Sequence, residues 1–331
     1  VSTPETAVLH EREAVAALVP DWWELFGRSD RATPFQSPAW QLAWWDAFSP
    51  GLLRVAAVRS AGRLVGLAPF YREHGTDRLL PIGISASDYL DVLVDPAVPA
   101  AGDRIVAALA DDAWTEWELT DLLPDAAALD LPVPAGCTEE RSDAAPCPVI
   151  ALPDAPDDLA DRLPKRKRRS IGMDRNRARR RGDVRTIAAR DGAEGLRLLA
   201  ELIRMHQARW TARGEPGVFA DERIETFHAT ALPQLLGAGL ARLDAMTIDG
   251  TVAAVLYQLA DERRRYAYLA GFDAAFAHES PGTLLLAEAM ETAVRAGARE
   301  YHLLRGDEAY KFGWGAVVRH TRRRVFRRPE R

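Results

Sequence analysis

Between Leu240 and Leu304 the chain reads strand, turn, strand, strand, helix, strand, and the run Val252 to Leu259 near its centre is apolar throughout apart from Gln258. A strand that shows no polar alternation has both faces covered, so it belongs in the middle of a sheet with helices on either side. Its neighbours read from Leu240 to Thr247, before the turn Asp249-Gly250, and from Arg264 to Ala270. The helix from Gly282 to Ala296 puts Leu286, Met290 and Val294 toward a core and Glu288, Glu291 and Arg295 on one outer face, and Gly297 stops it. Glu300 to Leu304 follows at once. This strand, helix, strand order favours a ligand site beyond the strand ends.

The first half presents the same kinds of element. Helices are expected over Glu11 to Phe26 and Ser37 to Phe48, where Trp40, Trp44 and Phe48 form a stripe at four-residue spacing. Strands are expected over Leu52 to Val58 and Leu64 to Tyr71, joined by Ser60-Ala61-Gly62-Arg63, then over Arg78 to Ile82, Tyr89 to Val94 and Trp114 to Leu119, with a helix from Ala100 to Ala110. Arg54, Ala57 and Gly62 recur at one constant offset as Arg242, Ala245 and Gly250. The fold class is therefore read as α/β with mixed sheets, built from a duplicated unit. A chain of 331 residues, 47% hydrophobic and with nine tryptophans, has material for two cores.

Leu131 to Pro164 is rich in proline with little periodicity and reads as a connector or an irregular edge strand. The boundary is placed there, giving domains 1–150 and 151–331. The second domain opens with a basic segment, 162–185, that holds 12 Lys/Arg against Asp174 and Asp183, although the whole chain carries a net charge of -5. It reads first as a solvated charged helix, with contact to phosphate as the other reading. It carries no aromatic interleaving for single-stranded bases. Beyond it come a strand from Val184 to Ala189 and helices from Ala193 to Ala212 and Asp221 to Leu236.

Several function classes are set aside. The acidic start, with Glu5, Glu11 and Glu13, does not read as a signal peptide, and no run approaches a membrane span, so a cytoplasmic location is expected. Cys137 and Cys147 match neither a disulfide framework nor a metal spacing. No metal is expected. No nucleophile elbow, Walker loop or dinucleotide fingerprint is present.

Two clusters face the expected crevice. Ser280 reads as an N-cap, Pro281 as the first helical residue, and Gly282 admits an anion to the free amides of the helix start. Its plainer reading is an ordinary capped helix. Arg305, Asp307, Glu308, Tyr310 and Lys311 crowd around Gly306, where only three lysines exist in the chain. They are suited either to binding an anion and moving protons or to pairing with one another. In the first half Ser87-Asp88-Tyr89 forms a short polar loop, and His206 and Trp210 share a helix face.

At these residues the chain resembles the acyltransferases of the GNAT superfamily grouped with cellulose-biosynthesis-type proteins, relatives of the Fem peptidyltransferases. The stretches that carry the likeness are Tyr268-Leu269-Ala270-Gly271-Phe272-Asp273, Ser280-Pro281-Gly282, Leu304-Arg305-Gly306-Asp307 and Tyr310-Lys311 with Trp314, supported by Phe35 to Trp40, Ser87-Asp88-Tyr89, and His206 with Trp210. The resemblance implies two tandem GNAT-like domains and an acyl-CoA co-substrate, acetyl-CoA or longer. It also implies transfer to an amine or hydroxyl of a small-molecule, sugar or envelope precursor, often in exopolysaccharide pathways. On this basis Asp307, Tyr310 and Lys311 are expected as base or amine anchor, acid and electrostatic support. Ser280, Gly282, Thr283 and Arg305 are expected to hold the coenzyme, and Asp88, Tyr89, Asp273, His206 and Trp210 the acceptor. The usual Gln/Arg-x-x-Gly-x-Gly/Ala loop does not occur between Gly271 and Thr283. Fem relatives take aminoacyl-tRNA instead, which the basic segment suits, although their long helical arm is absent. A non-catalytic binding module is the third expectation.

Overall fold

The computed structural model describes residues 4–329, which divide into two compact units, residues 4–145 with 320–329 and residues 146–319. The changeover falls between Ala145 and Pro146, and residues from His320 onward group with the first unit.

The first unit begins with β1 (Glu5–Leu9), α1 (Arg12–Ala16) and α2 (Val19–Arg28), so the single helix expected over Glu11 to Phe26 is two. Pro20 is the reason, because it suits a helix start and lacks the N–H an interior position needs. Then come α3 (Pro38–Phe48), β2 (Gly51–Ser60), β3 (Arg63–Glu73), β4 (Arg78–Pro81), β5 (Leu93–Val94), α4 (Ala101–Ala110) and β6 (Glu116–Leu122). Ser37 caps α3 by accepting from the Trp40 amide, and the β2–β3 turn uses positive φ at Ala61 and Gly62. β2 pairs β1 and β3 antiparallel, while β4 pairs β6 in parallel through Arg78↔Glu116 and Leu79↔Trp117. The expected strand over Tyr89 to Val94 shrinks to β5, because Ser87 to Val92 are drawn inward.

β7 (Thr138–Ala151) lies in the stretch expected as a connector or an irregular edge strand; it is a strand and pairs antiparallel with Glu300–His302. Its prolines are tolerated because the carbonyls of Pro146 and Pro148 accept from Gly306 and Leu303, work that needs no proline N–H.

In the second unit α5 (Leu159–Arg162), α6 (Lys165–Arg181), β8 (Val184–Ala188), α7 (Gly192–Thr211), α8 (Glu222–Gly237), β9 (Ala241–Ile248), β10 (Thr251–Ala260) and β11 (Arg264–Phe272) follow in order. A 3-10 turn over Ala274–Glu279 leads into α9 (Pro281–Arg295), then β12 (Glu300–His302) and α10 (Ala309–Phe312). The strands lie in the order β7-β12-β11-β10-β9-β8. β10 is central, as its apolar run demands, and is buried from Ala253 to Ala260. Ala254 and Leu256 join a core with Leu285 and Met290 of α9, whereas Tyr257, on the alternate face, meets His228 of α8 with ring centroids 5.7 Å apart. Helices therefore cover both sides of β10.

β13 (Val317–Arg327) completes the chain, and its Arg322 to Arg327 pair antiparallel with β6. Its Arg324 is 1% exposed and donates to Glu139 and to the carbonyls of Ala128 and Leu131, which satisfies a buried guanidinium. None of the described helices is long and apolar enough to cross a membrane.

Candidate active site

β11 and β12 pair in parallel only through Arg264↔Glu300, Arg265↔Tyr301 and Tyr266↔His302. Past that point β12 and its continuation turn to β7, where Leu303 donates to Pro148 and Gly306 to Pro146. β11 runs on to Phe272 with no strand on that side among the described residues, and Ala270 is exposed. The two strands thus part into a wedge open at their carboxyl ends. A bulge falls at the same place, because Tyr257 faces Leu269 and Gln258 faces Ala267, leaving Tyr268 as the extra residue. A bulge twists a strand and re-aims its main chain, which is what parting strands require.

One wall of the wedge is the start of α9. Ser280 occupies the N-cap position, as expected, but in a left-handed conformation with φ 53° and without a side-chain capping bond. Its carbonyl instead accepts from the amides of Thr283 and Leu284 at 3.0 and 3.2 Å. Pro281 has no N–H, so among the described residues the Gly282 amide is the one left unbonded in this turn. A Cβ built on Gly282 would meet nothing closer than Phe272 Cδ1 at 3.9 Å, so the approach is open. The cradle is narrower than expected, one amide rather than several, with the positive end of a 15-residue helix behind it.

The other wall is the turn from Leu304 to Lys311. Leu304 has φ 58° and Gly306 φ 111°, and three successive carbonyls of this turn point at one cation. The Lys311 ammonium, in a residue 3% exposed, donates to the carbonyls of Leu304 (3.2 Å), Arg305 (2.5 Å) and Gly306 (3.4 Å) and pairs with Glu308 at 2.9 Å. Its donors are committed to this turn. Asp307 and Tyr310 are exposed, Tyr310 at 59%. The Tyr310 hydroxyl is held above the ordinary phenol range, first by desolvation and then by the Glu308 charge, with Arg209 pulling it down. It therefore keeps its proton at neutral pH.

Arg209 links the walls and was missed in the sequence, where it reads as one more surface arginine on α7. Its guanidinium lies 5.7 Å from the Phe272 ring, which is also the nearest group to Gly282, and its charge is felt at Tyr310. Phe272 belongs to the quoted resemblance stretch but was given no role of its own. The signal for both was their offset from residues already singled out, one before Trp210 and one before Asp273. α7 approaches β11 closely at Gly271, where a Cβ would stand 3.1 Å from the Leu202 carbonyl and the Met205 Cβ.

That contact brings in His206 and Trp210. The Trp210 indole N–H donates to His206 Nε2 at 2.9 Å, so the neutral ring carries its proton on Nδ1, and burial pushes the His206 pKa down. Asp273 accepts from the Ala275 amide and from Arg204 at 3.4 Å. Seven predicted residues, Ser280, Gly282, Thr283, Asp273, His206, Trp210 and Tyr310, thus line or flank the wedge or the helix packed on it. Arg305, Asp307 and Lys311 form the turn beside it. Asp88 and Tyr89 belong to the first unit, where Tyr89 is 1% exposed and its carbonyl accepts from Gln36.

No group of three or more metal-binding side chains occurs among the described residues. Residues 165–312 match the family described as "Acetyltransferase (GNAT) domain". No curated protein matches the chain. Among solved structures it is similar to FemX, with 14% identity, TM-score 0.64 and coverage of 97% of this chain and 96% of that one. It is also similar to L-PGS from Bacillus licheniformis, with 12% identity, TM-score 0.60 and coverage of 94% and 91%. A conserved protein of unknown function from Bacteroides thetaiotaomicron gives 13% identity, TM-score 0.60 and coverage of 94% and 97%. At these identities the likeness is one of fold. The match covers 148 of the chain's 331 residues, all in the second unit, so the parted parallel strands and the helix start lie within the stretch that is similar to a GNAT acetyltransferase domain.

Proposed function

We propose that the second unit transfers an acyl group from acyl-CoA, acetyl-CoA or a longer thioester, to an amine or hydroxyl of a small-molecule, sugar or envelope-precursor acceptor. The observation that carries this reading is the wedge: an unpaired edge of β11 from Ala267, with the Gly282 amide on one side and Tyr310 on the other. The free edge offers main-chain groups to the amides of an extended donor, much as a sheet edge takes a further strand. The Gly282 N–H and the α9 dipole suit the pyrophosphate, with Thr283 beside it, Arg305 on the facing turn and Arg209 as a further cation.

Transfer needs alignment and two proton movements. The acceptor nitrogen attacks the thioester carbonyl, the carbon–sulfur bond breaks, the acceptor proton passes to Asp307, and the departing thiolate takes the Tyr310 proton. Lys311 supports this by holding the turn that carries Asp307. Asp273, His206 and Trp210 face the acceptor side. Under the alternative, aminoacyl-tRNA takes the place of the thioester and the same wedge holds its acylated end.

Calorimetry with acetyl-CoA and longer acyl-CoAs tests the donor. Saturable binding is expected, and Gly282→Leu, which stands a side chain over the amide, is expected to weaken it at least ~10-fold in a folded protein. No saturable binding of any acyl-CoA, together with transfer from aminoacyl-tRNA, overturns the thioester reading in favour of the alternative.

A further inference from the structure

α6 sorts its cations by direction. Ile171, Asp174 and Ala178 are buried on its inner face. The cations beside that face are all engaged: Lys167 over the Trp314 ring at 4.4 Å, Arg168 with Asp161 at 2.8 Å, Arg175 with Glu291 at 3.6 Å, Arg177 with Asp174, and Arg181 over Phe276 at 5.7 Å. Lys165, Arg166, Arg169, Arg179 and Arg180 have no acidic or aromatic partner among the described residues. At 100° per residue these five fall with Gly172, Met173 and Asn176 on one arc of about 140°, all pointing outward. Most other arginines in the chain are paired, so this arc is a concentrated exception.

The free cations also fall into two groups along the helix. Lys165, Arg166 and Arg169 stand at its start and Arg179 and Arg180 at its end, about 15–20 Å apart at 1.5 Å per residue. Gly172, Met173 and Asn176, all uncharged, lie exposed between them. Two cationic ends about that far apart match the two phosphate strands that flank a groove of a double helix. Arginine binds phosphate in a bidentate manner, and it supplies four of the five charges.

A flat anionic membrane fits less well. The apolar side of α6 is spent on the core, and among the described residues Met173 is the one large apolar side chain exposed on its outward arc, too little for the helix to insert. Asp157, Asp158 and Asp161 lie just before it and Asp183 just after, and a broad anionic plane would be pressed against them. A rod crossing the helix avoids both ends. The exposed arc has no aromatic ring, so single-stranded bases have no platform there.

We propose that the outward face of α6 docks the phosphodiester backbone of a nucleic-acid duplex, its two cationic ends straddling one groove. The proposal rests on the sorting of charges along α6 and holds whichever acyl donor the wedge accepts.

The test is fluorescence anisotropy of the full chain with an unacylated 20-base-pair RNA duplex and a DNA duplex of the same sequence. Saturable binding is expected at about 50 mM salt, with a log–log salt slope near −4 to −5 for five contacts. The variant Arg166→Gln, Arg169→Gln, Arg179→Gln, Arg180→Gln is expected to bind at least ~30-fold more weakly and to lose about 3 to 4 from that slope. The matching Arg→Lys variant, which keeps the charge, should retain binding within a few fold. Circular dichroism checks that each variant is folded, and Arg190→Gln with Arg223→Gln, paired surface residues outside the basic segment, should change little. RNA bound more tightly than DNA identifies a partner read through its 2′-hydroxyls and A-form shape; equal binding identifies the backbone alone. No saturable binding to either duplex, or the four-glutamine variant binding as the parent does, overturns the proposal. Capture by phosphatidylserine vesicles with neither duplex bound overturns it in favour of a membrane.

Discussion

Each unit contains one parallel pair of strands joined through a helix, and the two pairs end differently. In the first unit β4 and β6 part after Leu79 and Trp117, and the chain after β4 closes the gap: the Leu90 amide donates to the Asp121 carbonyl, Ser87 accepts from the Trp40 indole, and Ser87, Tyr89 and Leu90 are at most 2% exposed. In the second unit β11 and β12 part after Tyr266 and His302, and the chain after β11 leaves for the 3-10 turn and α9, so the edge stays free. One backbone device is packed as core in one place and left open in the other. What differs is the loop after the first strand of the pair, which in the first unit carries buried Tyr89 and Leu90 and in the second carries Ser280-Pro281-Gly282.

The largest effect that sharpens this contrast is on stability. Trp117 is fully buried against Phe70 (5.4 Å), Trp114 (5.9 Å) and Phe326 (5.4 Å), so Trp117→Ala should destabilise the first unit by about 3–5 kcal/mol in urea titration. A loss under about 1 kcal/mol would mean the first gap is not packed as core. The opposite pattern is expected at Tyr310. Tyr310→Phe should leave stability within about 0.5 kcal/mol, since the ring is 59% exposed, and slow acyl transfer about 100-fold. An unchanged rate removes the tyrosine from the chemistry.

Smaller effects come from pH, and they should run in opposite senses. Burial raises Asp91 of the first unit to about 7 against three opposing backbone N–H bonds. A folded pKa above the unfolded one means the native state holds the extra proton, so this residue's contribution falls as pH rises from about 4 to about 7. Glu300 of the second unit is lowered to about 2, first by its bond with His302 and then by Arg319. Its contribution is present above pH ~4.5 and is lost as pH falls toward 2. Asp91→Asn and Glu300→Gln should each flatten its own window in pH-dependent denaturation. A flattening in the other window would break the assignment.

Much of the frame was legible because burial writes itself into composition. The apolar run of β10, the Trp40-Trp44-Phe48 stripe of α3 and the Ala61-Gly62 and Asp249-Gly250 turns each reflect a local physical demand. β7 stayed undecided between connector and irregular edge strand because its pairing uses the carbonyls of Pro146 and Pro148, which hydropathy does not register. The candidate site was half legible as a cluster. Gly282 and Tyr310 stood out by motif, whereas the roles of Arg209 and Phe272 depend on α7 meeting β11 at Gly271, a contact between residues far apart in sequence. Lys311 was noticed for its rarity, but its role follows from three carbonyls turned inward by positive φ at Leu304 and Gly306, which no side-chain pattern announces.

The pairing of β13 with β6 sets an order of events during synthesis. Trp117 and its strand leave the ribosome some two hundred residues before Val325 and Phe326 supply the neighbouring strand. Until then β6 presents an unpaired edge, the kind of surface that chaperones cover and that other chains seek. The second unit, whose residues lie between, is delivered first, so the first unit waits for β13 before its sheet is complete.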